Sequence, residues 1–343
     1  MKVVIIAPCF GAFGGIEAFV FELSEMIQKQ GHEVSVLFKK VKGFELKNSL
    51  EERVNKSDLA IQFIERSSLI GYRKILCADI VHLHNPLVEY TFFSRLVQKP
   101  CVATVYNWCR GWGSLRTVSW QLANRLVDSS WYISEFVWNT WEPRGRRKDS
   151  ARLPIVSKLP EGFVEPVKRK GFLFVGRWIP NKGLRSLVQA YAKLKVDPVK
   201  WPLVLIGTGP LKEEVLGLIK DLDIKGVEIT GFISDEDRNT RIKSARWMVT
   251  PANTKEDLGL TPLEARNVSV PCIVTRDGGL NETGGKCSLK CEPGDEEGLR
   301  QQLQRAVEMS DEEYSFFVKG CSKGLEEYVR PLTVYLNEYQ KLL

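Results

Sequence analysis

The sequence predicts an α/β protein made of two successive domains, each with a doubly wound parallel sheet. Three observations lead to this fold class. Short apolar runs rich in β-forming residues alternate with segments of helical periodicity. The alternation occurs twice, and a basic stretch with prolines and glycines at residues 144–170 separates the two series. A chain of 343 residues is also long enough for two hydrophobic cores.

The first series contains a predicted helix with apolar residues at helical spacing from Ile16 to Ile27, which Gly31 ends. The predicted strands of this series are Lys2–Ala7, Val34–Phe38, Ile80–Leu83 and Cys101–Val105.

In the second series, helices are predicted around 184–194 and 212–222 and from about Gly259. Its predicted strands are Phe172–Val175, Leu203–Ile206, Val227–Ile229, Trp247–Val249 and Pro271–Thr275. We place the domain boundary near the end of the basic stretch, which gives domains 1–165 and 166–328. Two such domains imply a cleft between them, and ligands of open α/β sheets bind outside the carboxyl ends of the strands.

Composition indicates the cellular location of the protein and the kinds of site that it can form. No apolar run is long enough to span a bilayer, and the first residues resemble a strand rather than a signal peptide, so we expect a cytoplasmic protein. Eight scattered cysteines are then expected to be reduced. Three histidines and the cysteine spacing do not form a metal-ligand cluster, so no metal is expected.

Positive charge is concentrated in the first half of the chain. Residues 1–170 contain 25 Lys and Arg against 17 Asp and Glu, a net charge of +8, within a total of +7. Six tryptophans also lie between Trp108 and Trp141, interleaved with arginines. This pattern suits contact with an anionic membrane, a lipid-phosphate acceptor or nucleic acid, although solvated loops and ordinary core packing explain it equally well.

The glycine-rich loop after the first strand leads straight into a helix. Gly14 and Gly15 allow close backbone approach, and the helix start presents unpaired N–H groups, which suits an anion. The spacing differs from Gly-x-Gly-x-x-Gly, so a nicotinamide dinucleotide is not indicated.

Two further loops follow strands of the second domain. Arg177 and Lys182 lie five residues apart after strand Phe172–Val175, where both cations could bind phosphate oxygens; the alternative is an ordinary surface loop. Gly207 and Gly209 follow strand Leu203–Ile206 and are predicted to lie near a base or ribose.

The segment from Thr250 to Ala265 carries two glutamates around a helix start. The backbone N–H groups of Leu258, Gly259 and Leu260 are predicted to hold a diphosphate. Glu256 precedes the helix and could reach sugar hydroxyls, whereas Glu264 lies one to two turns deeper and could accept hydrogen bonds from a ribose.

In order and spacing, these motifs resemble the retaining family-4 glycosyltransferases. The shared features are the Gly-Arg-x4-Lys-Gly loop, the Ile-Gly-x-Gly-Pro turn, Gly231-Phe232, the Glu-x7-Glu segment and the run from Gly278 to Glu282. The similarity is dense over about residues 171–285 and looser over 1–40 and 76–108. It implies a GT-B fold, with residues 329–343 forming a helix that returns to the N-terminal domain.

The resemblance also implies roles for the site residues. Arg177 and Lys182 would neutralise the diphosphate of a nucleotide-sugar donor, and Gly15 and the amides of 258–260 would bind it from opposite sides of the cleft. Glu256 would hold the transferred sugar and Glu264 the ribose. Since these cations and helix termini stabilise the departing diphosphate, no cofactor or metal is expected beside the nucleoside-diphosphate sugar.

The sequence departs from that family at the end of an N-terminal-domain strand. Tyr106 occupies the position of the usual histidine, and the usual Asn-Gly turn after this domain is replaced at residues 155–160. Tyr106, Asn107 and His84 are therefore candidates for contact with the sugar or acceptor, whereas His82 is predicted to pack in the core. Tyrosine can donate a hydrogen bond but cannot relay a proton at neutral pH.

The predicted function is a retaining glycosyltransferase that moves a sugar from a nucleoside-diphosphate sugar onto a hydroxyl acceptor bound by the N-terminal domain. The basic first half favours a lipid-linked or surface-glycan acceptor and peripheral contact with an anionic membrane. Alternatives are a degenerate binding subunit, a nucleotide-sugar epimerase and a nucleic-acid glycosyltransferase, although nucleic acid is not the expected partner.

Overall fold

The computed structural model describes residues 1–41, 43–111, 114–153, 155–156 and 159–343. It divides into two compact units. The first unit contains Met1–Ser157 and Arg330–Leu343, and the second contains Lys158–Val329. Trp112, one of the six tryptophans between Trp108 and Trp141, and residues 157 and 158 of the segment 155–160 lie outside the described residues.

In chain order, the elements up to the end of the first series are β1 Lys2–Cys9, α1 Gly15–Lys29, β2 Glu33–Lys40, α2 Asn48–Asn55, β3 Ala60–Ile64, α3 Leu69–Cys77, β4 Ile80–His84, α4 Val88–Leu96, β5 Cys101–Val105, α5 Leu115–Leu126, β6 Ser129–Tyr132, α6 Glu135–Trp141 and β7 Ser150–Arg152. The second series contains β8 Lys170–Val175, α7 Leu184–Ala192, β9 Leu203–Ile206, α8 Lys212–Asp221, β10 Val227–Gly231, α9 Asp235–Ser244, β11 Ala245–Thr250, α10 Leu260–Asn267, β12 Cys272–Thr275, α11 Leu280–Thr283, β13 Ser288–Cys291, α12 Glu296–Glu308 and α13 Asp311–Gly320. The last helix is α14 Thr333–Gln340.

Both units contain a parallel sheet with a point at which the strand order reverses. The first sheet has the order β3-β2-β1-β4-β5-β6-β7, and the second has the order β10-β9-β8-β11-β12-β13. The reversal places β1 beside β4 in the first unit and β8 beside β11 in the second. These are the Rossmann-like units that the alternating sequence pattern predicts.

Side chains of the second sheet alternate between its two faces, and each face belongs to a separate hydrophobic core. Phe172, Phe174 and Trp247 lie in the core that includes residues of α7, α12 and α13. Leu173 and Met248 belong to the opposite core, which includes residues of α9 and α10. Successive side chains of a strand point to opposite faces, so strands covered on both faces are apolar throughout.

In the first unit, strand β4 has a different partner on each face. Val81 and Leu83 pack with residues of α3 and α4. His82 and His84 lie on the other face and are fully buried. Nδ1 of His82 is 2.7 Å from the hydroxyl of Tyr339 on α14, and its Nε2 is 2.8 Å from the hydroxyl of Thr104. The segment 330–343 thus packs within the first unit, and His82 is the packed histidine that the sequence indicated.

The predicted boundary after residue 165 lies eight residues too late, because the unit division falls after Ser157. Side-chain hydrogen bonds attach residues 159–165 to the second unit. Asn267 donates to the carbonyl of Pro160, and buried Arg169 donates to the carbonyls of Val164 and Val268. Arg169 is therefore a structural residue rather than part of a basic surface.

The stretch around Arg144–Lys148 is also partly engaged within the first unit. Arg146 pairs with Glu135 at 2.6 Å and stacks 4.0 Å from the ring centroid of Trp138, and Arg147 pairs with Glu142. Trp131 is fully buried. Internal packing thus accounts for part of the aromatic and basic enrichment.

We expect Tyr339→Phe to destabilise the first unit by about 1–3 kcal/mol, because it leaves a buried ring nitrogen of His82 without its partner. Urea unfolding followed by tryptophan fluorescence measures this, since Trp131 lies 5.7 Å from the ring of Tyr339. Lys341→Ala, with a side chain 66% exposed, is the control and should have little effect. Equal stability of the two variants would contradict the assignment.

We also expect the first unit to lose stability in mild acid. Burial lowers the pKa of His84 to about 3, and burial together with the neighbouring His84 lowers the pKa of His82 well below its usual value. Unfolded histidines titrate near pH ~6.5, so this stability is complete above that pH and declines by about 1.4 kcal/mol per pH unit for each ring as pH falls toward the folded pKa. Urea unfolding at pH 7.5, 6 and 5 tests this, and His84→Gln should reduce the slope. An unchanged slope in that variant would disprove it.

Candidate functional site

The candidate site is built from the loops that follow β8 and β11, the two strands at the reversal point of the second sheet. The carboxyl ends of parallel strands share one edge, so these loops are neighbours. Direct hydrogen bonds join them. The amide of Asn253 donates to the carbonyl of Asn181 at 3.0 Å, and the Asn253 side chain donates to the carbonyl of Pro180 at 3.3 Å.

An ion pair connects the same two loops. Nζ of Lys182 lies 2.7 Å and 2.8 Å from the two carboxylate oxygens of Glu256. The side chains are only 23% and 15% exposed, so solvent screens this pair less than a surface pair. The structure thus brings together two residues 74 positions apart that the sequence assigned to one site. Arg177 lies on the surface beside buried Trp178.

Gly183 allows the Lys182 loop to approach the loop after β11. Its φ is +70°, and a Cβ atom at this position would lie 1.8 Å from the carbonyl oxygen of Pro251. Gly183 is also the residue before α7. The glycine in the Gly-Arg-x4-Lys-Gly loop thus has a steric reason that the sequence analysis did not identify.

Gly207 and Gly209 pack closely against the loop after β8. Cβ atoms on them would lie 1.9 Å from the carbonyl oxygen of Gly176 and 2.5 Å from that of Trp178. The amide of Trp178 donates to Thr208 at 2.9 Å, which fixes the two loops together. These contacts account for the two glycines structurally, and their proximity to a base or ribose stays a prediction.

The run Gly278-Gly279 supports the backbone around Glu256. The amide of Gly279 donates to the carbonyl of Glu256 at 2.7 Å. A Cβ atom on Gly278 would lie 2.4 Å from that same oxygen, and one on Gly279 would lie 2.6 Å from the Cα of Leu258. The paired glycines were visible in the sequence, but their contact with residues 256–258 depends on the tertiary fold.

Helix α10 begins without a capping side chain. Its N-cap residue is Gly259, with φ +85°, and Leu260 is the first helical residue. The side chain of Leu258 is buried, while that of Leu260 is 36% exposed. A helix start without a side-chain cap retains backbone N–H groups that can donate hydrogen bonds to an anion.

Glu264 belongs to a second ion pair. Its Oε1 is 3.3 Å from Nη2 of Arg238 on α9, and its side chain is 13% exposed. Burial raises the pKa of Glu264, while Arg238 opposes that effect. Arg238 was not singled out from the sequence, since one arginine in a polar helix has no distinguishing pattern.

In the first unit, the structure pairs His84 with Tyr106. Nδ1 of His84 is 2.7 Å from the tyrosine hydroxyl, and both rings are buried. Burial raises the pKa of Tyr106 well above its usual value, so the hydroxyl keeps its proton. Asn85, with φ +65°, accepts from the Tyr106 amide at 2.9 Å and donates to the Asn107 side chain at 3.0 Å. No pattern in the sequence distinguishes Asn85. The proposed contacts of His84, Tyr106 and Asn107 with a ligand stay predictions.

The loop after β1 leads into α1 with Gly14 at the N-cap position. Gly14 and Gly15 are exposed, as close approach of a ligand to the backbone requires. The first turn also contains buried Glu17, whose Oε2 is 3.2 Å from the position that a Gly14 Cβ would take. The anion-binding part of Gly14 and Gly15 stays a prediction, and Glu17 adds a negative charge close to it.

The sequence is similar to those of known glycosyltransferases. Residues 157–319 match the family model described as glycosyl transferases group 1. The chain is 35% identical over 123 residues to N-acetyl-alpha-D-glucosaminyl L-malate synthase of Bacillus anthracis, covering 35% of this chain and 32% of that protein. It is 24% identical over 248 residues to the D-rhamnosyltransferase WbpZ of Pseudomonas aeruginosa, covering 66% of this chain and 64% of that protein.

A solved structure extends the similarity of fold to the whole chain. Anabaena HepE in complex with UDP superimposes with a TM-score of 0.82 at 15% identity and covers 100% of both chains. The curated sequence relatives match over less than two thirds of their own length. The fold is thus that of the GT-B glycosyltransferases, and residues 157–319 resemble the glycosyl transferases group 1 family.

Proposed function

We propose that the protein is a retaining glycosyltransferase that transfers a sugar from a nucleoside-diphosphate sugar to a hydroxyl acceptor without a metal ion. The observation that carries this proposal is the Lys182–Glu256 ion pair at the strand-order reversal of the second sheet. It lies within the family match and combines a cation suited to phosphate with a carboxylate suited to sugar hydroxyls.

The chemistry requires stabilisation of a departing diphosphate. An ammonium group has three N–H donors, and Lys182 directs Nζ at both oxygens of Glu256, which leaves donor capacity for a phosphate oxygen. Arg177, exposed on the same loop, supplies a second cation, and the uncapped start of α10 supplies backbone N–H groups. Preorganised donors of this kind stabilise negative charge that develops in the transition state, and here they supply the charge that a metal ion provides elsewhere.

Glu256 is proposed to hold the transferred sugar and to position it against the diphosphate. Residue 256 is held at two points, because Lys182 donates to its carboxylate and the Gly279 amide donates to its backbone carbonyl. These two attachment points limit the orientations of the Glu256 side chain. A side chain that positions a bound sugar must itself be fixed in orientation. Glu264 is proposed to bind the ribose hydroxyls.

We expect Lys182→Ala and Arg177→Ala to weaken nucleoside-diphosphate binding and to reduce sugar transfer about a hundredfold. Glu256→Ala should separate the two properties. Transfer should fall, whereas binding of the free diphosphate should persist or strengthen, because Lys182 is then released from its partner. Calorimetry measures the binding of UDP, GDP, ADP and dTDP. Donor-hydrolysis and transfer assays, with and without EDTA, measure the transfer of the sugar. UDP comes first because HepE was solved with it.

The control is the ion pair of Lys193 with Glu296, which has a 2.6 Å contact on the exposed surface of the same unit. Lys193→Ala should leave binding and transfer unchanged. Binding without turnover would favour a degenerate binding subunit, and epimerised donor would favour an epimerase. No heat with any of the four diphosphates would refute the proposal.

The acceptor is proposed to be lipid-linked or a surface-glycan precursor, presented at an anionic membrane. Helix α5 carries Leu115, Val118 and Leu122 at 90%, 41% and 47% exposure, and their spacing places them on one face. Arg116 and Arg125 flank that face, and a basic amphipathic helix suits an anionic lipid surface. In the described part of the chain, no helix has the length and apolarity needed to cross a bilayer.

We therefore expect the protein to sediment with vesicles that contain phosphatidylglycerol but not with pure phosphatidylcholine, and less so as salt rises. Leu115→Ser with Leu122→Ser should reduce this binding about tenfold, since each leucine loses buried apolar surface at the membrane. Leu216→Ser, an exposed leucine on α8, is the matched control. Salt-sensitive binding to DNA instead of vesicles would favour the nucleic-acid alternative.

A further inference from the structure

Arg238 occupies an inner position of helix α9. The helix is otherwise polar, and its buried residue is Ile242, one turn after Arg238 on the same face. The Arg238 side chain is 29% exposed. Its Nε is buried and has no hydrogen-bond partner among the described residues. Helix α9 thus presents a cation at a position where an apolar side chain would ordinarily pack.

The partner of Arg238 inside the protein is Glu264 on α10. Nη2 of Arg238 lies 3.3 Å from Oε1 of Glu264 and 3.5 Å from Oδ1 of Asp235. Asp235 is 90% exposed, so water solvates it, whereas Glu264 is 13% exposed. The second oxygen of Glu264, Oε2, is buried and has no hydrogen-bond partner within the described residues. One oxygen is held and the other keeps its acceptor capacity.

This arrangement is poor for stability alone. A buried ion pair repays its desolvation only when further hydrogen bonds satisfy the remaining polar atoms, and here Nε of Arg238 and Oε2 of Glu264 are both unsatisfied. An apolar pair of similar volume would stabilise the contact between α9 and α10 equally well. The open oxygen of Glu264 instead suits a carboxylate whose hydrogen bonding a hydroxylic ligand completes.

We propose that Arg238 is a positioning residue that holds Glu264 ionised and in one orientation, so that its carboxylate accepts hydrogen bonds from the ribose hydroxyls of the bound nucleotide. The inference rests on the proposed function, which assigns the ribose to Glu264. Arg238 itself contacts no substrate in this scheme and acts only through the carboxylate.

Calorimetry of Arg238→Gln with UDP, GDP and ADP, each beside its 2′,3′-dideoxy analogue, tests the inference. For the diphosphate that the wild type binds, the affinity of the variant should be about tenfold lower. This is the effect of losing one good hydrogen bond to a charged group. The dideoxy analogue lacks the hydroxyls that Glu264 would bind, so its weaker affinity should not change between wild type and variant. An equal loss for both ligands would overturn the inference.

The pH dependence of binding provides a second readout. Within the described residues, the charged groups that act on Glu264 are Arg238, which lowers its pKa, and Asp235, which raises it; burial raises it most. Loss of Arg238 should raise that pKa further. Nucleotide affinity, which depends on the ionised carboxylate, should then decline from a higher pH on acidification than in the wild type.

Three variants complete the test. Arg241→Gln removes another arginine of α9, one paired with exposed Glu228, and should leave all affinities unchanged. Arg238→Lys keeps a cation and should recover part of the affinity. Arg238→Met keeps an apolar stem beside Ile242, so it should fold and still show the loss only for the nucleotide with intact ribose hydroxyls. Wild-type affinity in a folded Arg238→Met variant would reduce Arg238 to a structural residue. If no nucleoside diphosphate binds the wild type, the proposed function and this inference fail together.

Discussion

The reversal of strand order between β8 and β11 is the constraint on which the candidate site depends. These neighbouring parallel strands end at the same edge of the sheet, so the loops that follow them meet there and hydrogen-bond to each other. Gly183, Gly207 and Gly278 each lie where a Cβ atom would collide with a carbonyl oxygen. Close loop packing of this kind fixes the backbone that carries Lys182 and Glu256.

The Lys182–Glu256 and Arg238–Glu264 ion pairs of the second unit differ in how fully their charges are compensated. Partly buried charges lose hydration and need compensation from a partner or a ligand. Lys182 and Glu256 satisfy each other through two short contacts, so ligand binding must redistribute an existing interaction. In the pair of Arg238 and Glu264, Oε2 of Glu264 keeps its acceptor capacity, so a ligand can add a hydrogen bond there without breaking one. This difference is the physical basis for proposing charge stabilisation by the first pair and ribose recognition by the second.

The first unit depends on a polar cluster inside its core. His82 joins β4 to β5 and α14 through both ring nitrogens, and His84 joins Tyr106. Burial lowers the pKa of both rings, which favours their neutral forms near neutral pH. The last residues of the chain are consequently part of this unit. His84, beside Tyr106, is fully buried by the surrounding side chains.

Local patterns predicted much of the fold, and the strands Cys101–Val105 and Leu203–Ile206 match the structure residue for residue. Strand periodicity and glycine-rich loops depend on neighbouring residues, so they can be recognised without tertiary information. The Gly-Arg-x4-Lys-Gly and Glu-x7-Glu motifs likewise indicated one site. The domain boundary was misplaced because distant hydrogen bonds, such as that of Asn267 to Pro160, decide which unit holds the linker.

The sequence by itself determined the fold class, the order of the elements and the residue types available for phosphate and sugar binding. Only the tertiary structure decided that Lys182 meets Glu256, that Glu264 meets Arg238 and that His84 meets Tyr106. These pairs join residues that are 74, 26 and 22 positions apart. Contacts at such separations depend on the packing of strands and helices, for which no local periodicity carries information.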